Sequence, residues 1–115
     1  MITKQGGNAR PIFTKPSDTA LTTVYTVGYD GVVDFLSCTI SANAAANASV
    51  QIYDGSTNWD ILAAQTMTAG QTILLEWWDG IPLRQNYVIK VQSSVGNAIT
   101  FTAVISESSR AARRA

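Results

Sequence analysis

Histidine is absent from this 115-residue chain, and cysteine occurs once, at Cys38. The first absence excludes a Ser-His-Asp triad and zinc held through histidine. The second excludes an internal disulfide. Cys38 lies in the apolar stretch 35–40, has no histidine to activate it, and reads as a small buried hydrophobe. Charge is scarce: eight basic and eight acidic residues give a formal net charge of zero. No apolar run approaches the roughly 18 residues of a membrane-spanning helix. Residues 1–7 lack the apolar stretch of a signal peptide, so a soluble protein made in the cytoplasm is expected. Gly6-Gly7 is isolated and forms no phosphate-cradling loop. Cofactors are therefore expected to be none.

What the chain does contain is turn chemistry. An aromatic residue followed by Asp-Gly occurs at Tyr29-Asp30-Gly31, Tyr53-Asp54-Gly55 and Trp78-Asp79-Gly80. Glycine takes a positive φ freely and aspartate tolerates it, so Asp-Gly marks turns, and a bulky aromatic before it suits the end of a strand. Asp54-Gly55 fits a tight hairpin. Asp79-Gly80 leads into Ile81-Pro82-Leu83 and is expected to change the chain's direction between sheets.

Between the turns the apolar pattern has period two. Ile99, Phe101, Ala103 and Ile105 share one face of a strand over 98–105. Tyr87, Ile89 and Val91 do so in 86–93, and Ala48, Val50 and Ile52 in 48–53. Segments 20–27, 32–41, 58–63 and 71–78 are rich in β-branched and apolar residues. In 32–41 the apolar phase switches between Val33/Phe35 and Leu36/Cys38/Ile40, which predicts a bulge. The alanine-rich run 42–48, broken by Asn43 and Asn47, reads as a loop. No segment carries a helical stripe. The expected fold is all-β: an antiparallel β-sandwich, jelly-roll-like, with an extended N-terminal arm and a short C-terminal tail. The expected limits are an arm over 1–19, where Gly6-Gly7, Pro11 and Pro16 leave only Ile12 and Phe13 as apolar anchors, a body over 20–106, and a basic tail over 107–115.

The arm carries Lys4, Arg10 and Lys15 against Asp18, and the tail Arg110, Arg113 and Arg114 against Glu107, so each end is +2. The span between carries a net −4. Two weakly basic ends are too little for nucleic-acid binding beyond a salt-sensitive, non-specific kind. They suit an acidic protein surface, including a second copy of the same body.

Three candidate sites compete. Asp54-Gly55-Ser56-Thr57-Asn58 has the start of a calcium loop but no closing glutamate, and reads as a hairpin. No spacing brings two carboxylates together for acid–base catalysis, so an enzyme is not expected. Trp59, Trp77 and Trp78, with Tyr25, Tyr29, Tyr53 and Tyr87, suit either a sugar-stacking platform or core and interface. In a regular strand Trp77 and Trp78 point to opposite faces, one towards the core and one towards a contact. The expected interface residues are Ile12, Phe13, Lys15, Trp78, Arg110, Arg113 and Arg114.

The order of segments carries a further signal. Thr22-Thr23-Val24-Tyr25-Thr26-Val27 leads through a glycine turn into an apolar strand over 32–40. A small-residue loop over 41–48 precedes Val50-Gln51-Ile52-Tyr53-Asp54-Gly55-Ser56. Ala69-Gly70, an apolar strand over 73–77, Gly80-Ile81-Pro82-Leu83 and two closing strands follow. Over roughly residues 20–106 this order resembles the small β-sandwich virion proteins of tailed bacteriophages and gene-transfer particles. Gly28-Tyr29-Asp30-Gly31 departs from the Pro-Ala-Gly type turn of that pattern. The resemblance implies a capsid decoration or head-spike protein located in the virion. It implies the major capsid protein or other virion subunits as partners; the charge pattern and the lack of a long apolar run add the expectation of a homo-oligomer without nucleic-acid or membrane contact. A tail or tail-spike module that binds a receptor or carbohydrate is the alternative it implies.

Overall fold

The computed structural model describes residues 8–28 and 32–108. Every regular element among them is a strand: β1 (Asn8–Thr14), β2 (Thr22–Thr26), β3 (Val32–Ala42), β4 (Ala46–Tyr53), β5 (Asn58–Met67), β6 (Thr72–Leu83), β7 (Val88–Ser93) and β8 (Ile99–Ser108). They form two four-stranded antiparallel sheets, ordered β1-β8-β3-β6 and β2-β7-β4-β5. The fold is an all-β sandwich.

Alternation builds the core. Ala46, Ala48, Val50 and Ile52 of β4 face Ile89 and Val91 of β7 across one sheet and are buried. Phe101, Ala103 and Ile105 of β8, with Val33, Phe35, Cys38 and Ile40 of β3, line the other. Cys38 is fully enclosed, and burial pushes its thiol up to about 12. It packs as the small hydrophobe that its neighbours in the chain predict.

The phase switch in β3 is a bulge. Its register against both β8 and β6 shifts between Phe35 and Ser37. On the β6 side the partners jump from Ile81 to Glu76, so Leu36 alone stands opposite Trp77, Trp78, Asp79 and Gly80. Asp79 and Gly80 both have positive φ, 64° and 79°. The expected change of direction at Asp79-Gly80 is therefore replaced by an outward loop within a continuous β6. The two residues supply the left-handed backbone that a bulge needs as readily as the one a turn needs. Leu36 is buried outside the main core, where Gly80 closes over it.

Residues 8–14 of the expected arm are extended, but they are laid along β8 as an edge strand of the first sheet. An edge tolerates Pro11, and the register places Ile12 opposite Ala103 against the core and Phe13 opposite Thr102 on the outer face. Residues 15–21 are tied down as well. Asn97 N donates to Pro16 O at 2.8 Å, and Gln92 Nε2 donates to Thr19 O at 3.0 Å. A Cβ on Gly96 would lie 2.5 Å from Ser17 O, so only glycine lets this connection pass.

Candidate functional site

The two long flanks of the sandwich are built differently. On the β1–β2 flank Tyr25 OH donates to Glu107 Oε2 at 2.6 Å, joining the two sheets. Arg10 Nε lies 3.5 Å from Glu107 Oε1, and its guanidinium sits 5.7 Å from the centre of the Tyr25 ring. The phenol donor holds Glu107 below its ordinary carboxyl range, with help from Arg10. Burial first, then Glu107, pushes Tyr25 up from 10 to about 12. Glu107 is depressed, so its contribution to stability is present above its ordinary 4.5 and is lost as pH falls. Tyr25 is raised, so its contribution is present below 10 and is lost as pH climbs towards 12. Tyr25→Phe is expected to cost about 1–2 kcal/mol at neutral pH. Its deficit should shrink at both extremes, as read from urea unfolding of the variant and the parent chain across pH.

The β5–β6 flank is apolar. β5 and β6 are the outermost strands on this side. Their inward residues Ile61, Leu62, Ile73, Leu75, Trp77 and Ile81 touch the core yet remain half-buried. Trp59, at the start of β5, is exposed.

The outer faces of the sheets differ too. In the first sheet, successive pairing puts Phe13, Thr102, Thr39 and Leu74 in one row from edge to edge. Phe13 is 71 % exposed and Leu74 57 %. Trp78 is 88 % exposed on the β6 bulge, whereas Trp77 turns inward with its ring centre 4.8 Å from that of Phe35. The adjacent tryptophans thus take opposite faces, as expected, and Phe35 anchors the base of the bulge that carries Trp78 outward. The second sheet's outer face is polar. Lys90 Nζ lies 4.6 Å from the Tyr53 ring centre, and Gln51 Nε2 donates to Asp60 Oδ1 at 2.9 Å. Thr19, Asn47, Ser49, Ala64, Gln92 and Ser94 line an uncharged depression of about 480 Å³ on that side.

The hairpin over 54–57 explains the calcium-like spacing. Asp54 Oδ1 accepts from the backbone N of Ser56 and of Thr57, at 2.9 and 2.8 Å, and Oδ2 accepts from Trp59 Nε1 at 2.8 Å. These donors, the indole first, hold its carboxyl far below the usual range. The carboxylate is occupied in shaping the turn. No cluster of three potential metal ligands occurs among the described residues.

The expected interface residues are not brought together. Ile12 packs inward, Phe13 and Lys15 are exposed near one edge of the first sheet, and Trp78 stands at the opposite edge. Arg110, Arg113 and Arg114 lie outside the described residues. Leu74 and the half-buried flank are additions from the structure. Their sequence signal is the unbroken apolar pair Leu74-Leu75 beside Ile73, because a strand with one wet face alternates instead. A scan of the chain against protein-family models finds no match, and a search of curated proteins finds no relative.

Proposed function

We propose that this protein is a non-enzymatic structural component of a tailed-phage or gene-transfer particle, a capsid decoration, cement or head-spike subunit. In this reading the sandwich is a jelly roll. Supporting that finer assignment, the antiparallel pairs β1–β8, β2–β7, β3–β6 and β4–β5 nest as one long hairpin folded over itself.

The observation that carries the functional reading is the outer face of the first sheet. Phe13, Leu74 and Trp78 are large apolar side chains held in water on a rigid sheet. Exposed apolar surface of this kind marks a protein contact, and tryptophan is a favoured anchor in one. The major capsid protein, or another virion subunit, is the partner proposed for this face, with the basic ends adding charge attraction. Many copies on one particle convert individually weak contacts into firm attachment. The subunits would be made in the host cytoplasm and reside in the virion, without nucleic-acid or membrane contact.

The experiment adds purified chain to particles lacking it and measures occupancy. Trp78→Ala is expected to cost about 2 kcal/mol of binding, about a 30-fold loss of affinity, with the fold intact. Phe13→Ala should act in the same direction. Because β1 belongs to the first sheet, the ends are tested by removing only residues 1–7 and 109–115. Occupancy unchanged by all of these would refute the reading.

Trp59 favours a second reading, a receptor- or carbohydrate-binding module on a tail or tail spike. Its indole is fixed edge-on by Asp54 yet half open to water, the preorganised aromatic plane on which a sugar stacks. Saturable glycan binding that Trp59→Ala abolishes would support it, and a glycan array without hits would remove it.

A further inference from the structure

We propose that residues 72–76 of β6 pair antiparallel with the same segment of a second copy, joining two first sheets into one eight-stranded sheet about a twofold axis. This specifies the homo-oligomer of the functional reading, but it rests on the β5–β6 flank and not on the virion assignment.

An edge strand offers unpaired backbone groups to another chain unless something blunts it. Three of the four edges here are blunted. β1 carries Pro11. β2 has five residues and a register shift between Thr23 and Tyr25. β5 has two register shifts, with Ala64 at a φ of 47°. β6 is different. From Ser41↔Thr72 to Ser37↔Glu76 it pairs with β3 without interruption, and its other side carries no strand among the described residues. Beyond Glu76 the bulge ends the regular edge, so the available segment is short and its register is fixed.

That segment is self-complementary. A twofold axis at Leu74 places Leu74 opposite Leu74 of the second copy, and Ile73 opposite Leu75. The same register sets Thr72 opposite Glu76. Directly opposed residues interact, so each apolar side chain meets an apolar one and no like charges face each other. The two Glu76 side chains stand four residues apart, about 13 Å at roughly 3.3 Å per residue, which is beyond the screening length of about 8 Å. Ile73 and Leu75 point inward and are half-buried, so the pairing also brings the two open flanks together and covers them. The twofold contact is isologous and closes, so it yields a dimer and not a fibre. It leaves Phe13 and Trp78 of both copies on one face of the joined sheet.

The test uses the full chain in solution. Light scattering should give twice the 12.3 kDa chain mass. Leu74→Lys, at an exposed position, places two ammonium groups face to face and should return the single-chain mass with an unchanged far-UV circular dichroism spectrum. Opposed residues in an antiparallel pair have Cα atoms about 4.5–5.5 Å apart, within disulfide reach. Leu74→Cys should therefore oxidise to a covalent dimer, while the enclosed Cys38 of the parent chain does not. A single-chain mass for the parent protein at its solubility limit would overturn the proposal. So would a trimer, or an oligomer that Leu74→Lys leaves intact and Leu74→Cys fails to cross-link. Particle occupancy is read separately. A parent chain that is single in solution yet occupies particles leaves the virion reading standing, and a Leu74-dependent dimer that never binds particles leaves the pairing standing.

Discussion

Phe35→Ala is expected to lower the unfolding free energy by about 3–5 kcal/mol, the range for removing a buried aromatic ring. A domain of this size holds only about 5–15 kcal/mol in total, so a large part of the chain's stability is at stake. Phe35 is fully buried, and it is the last β3 residue before the register shift. Its ring supports Trp77, with 4.8 Å between ring centres. Truncation leaves a void under the one place where four β6 residues span a single β3 residue, so the bulge loses its floor. The midpoint of urea unfolding measures the loss. A second readout separates this site from any other core position: Trp78 fluorescence should change in the folded variant, because the bulge that holds it has shifted. Trp78→Ala, by contrast, should leave the midpoint nearly unchanged, since surface substitutions fall within about 0.5 kcal/mol.

Gly80→Ala is the next largest effect, about 2–3 kcal/mol, and it has two separable causes. The backbone sits at a φ of 79°, which costs an L-residue about 1–2 kcal/mol. A Cβ there would also lie 2.9 Å from Leu36 Cδ2, 3.2 Å from Phe35 O and 3.3 Å from Asp34 Cβ. Leu36 can give way, but the Phe35 carbonyl and the Asp34 Cβ belong to or adjoin a paired backbone that cannot. Asparagine separates the causes, because it tolerates positive φ but still brings a Cβ. Gly80→Asn is expected to be nearly as damaging as Gly80→Ala, since the crowding remains. At Gly55, where φ is 102° and the space around a Cβ is empty, any cost comes from the backbone alone. Thermal melts of these variants decide it, and a mild Gly80→Asn would show that the backbone angle dominates there too.

Much of the sandwich is legible in the chain because alternation is a local signal. The faces of β4, β7 and β8 follow directly from Ala48/Val50/Ile52, Ile89/Val91 and Phe101/Ala103/Ile105. The bulge in β3 was legible for the same reason, since two apolar phases cannot share one regular strand. β1 was not, because its partner β8 lies some ninety positions away and Pro11 obscures its character. Nor was the continuation of β6 past Asp79-Gly80, where a turn signal and a bulge signal are the same residues. At the candidate surface, Trp78 and Phe13 stood out as large aromatics, but their separation across the first sheet depends on strand order, which no local pattern encodes. Leu74 and the open flank leave only the Leu74-Leu75 break in alternation as a signal, which takes its meaning once β5 and β6 are known to be edges.

The strand order also constrains how the molecule can be made. β8 lies between β1 and β3, and β7 lies between β2 and β4. The last two strands among the described residues are therefore each an interior strand of one sheet. Until they are made, β1 and β2 have no neighbour to pair with, and neither sheet can be completed beyond its β3–β6 or β4–β5 pair. Pairings this distant in sequence form slowly, over milliseconds to seconds in comparable all-β domains. The sandwich can close only once residues 88–108 are available, and a nascent chain stalled before residue 88 would leave β1 and β2 with no neighbour in their sheets.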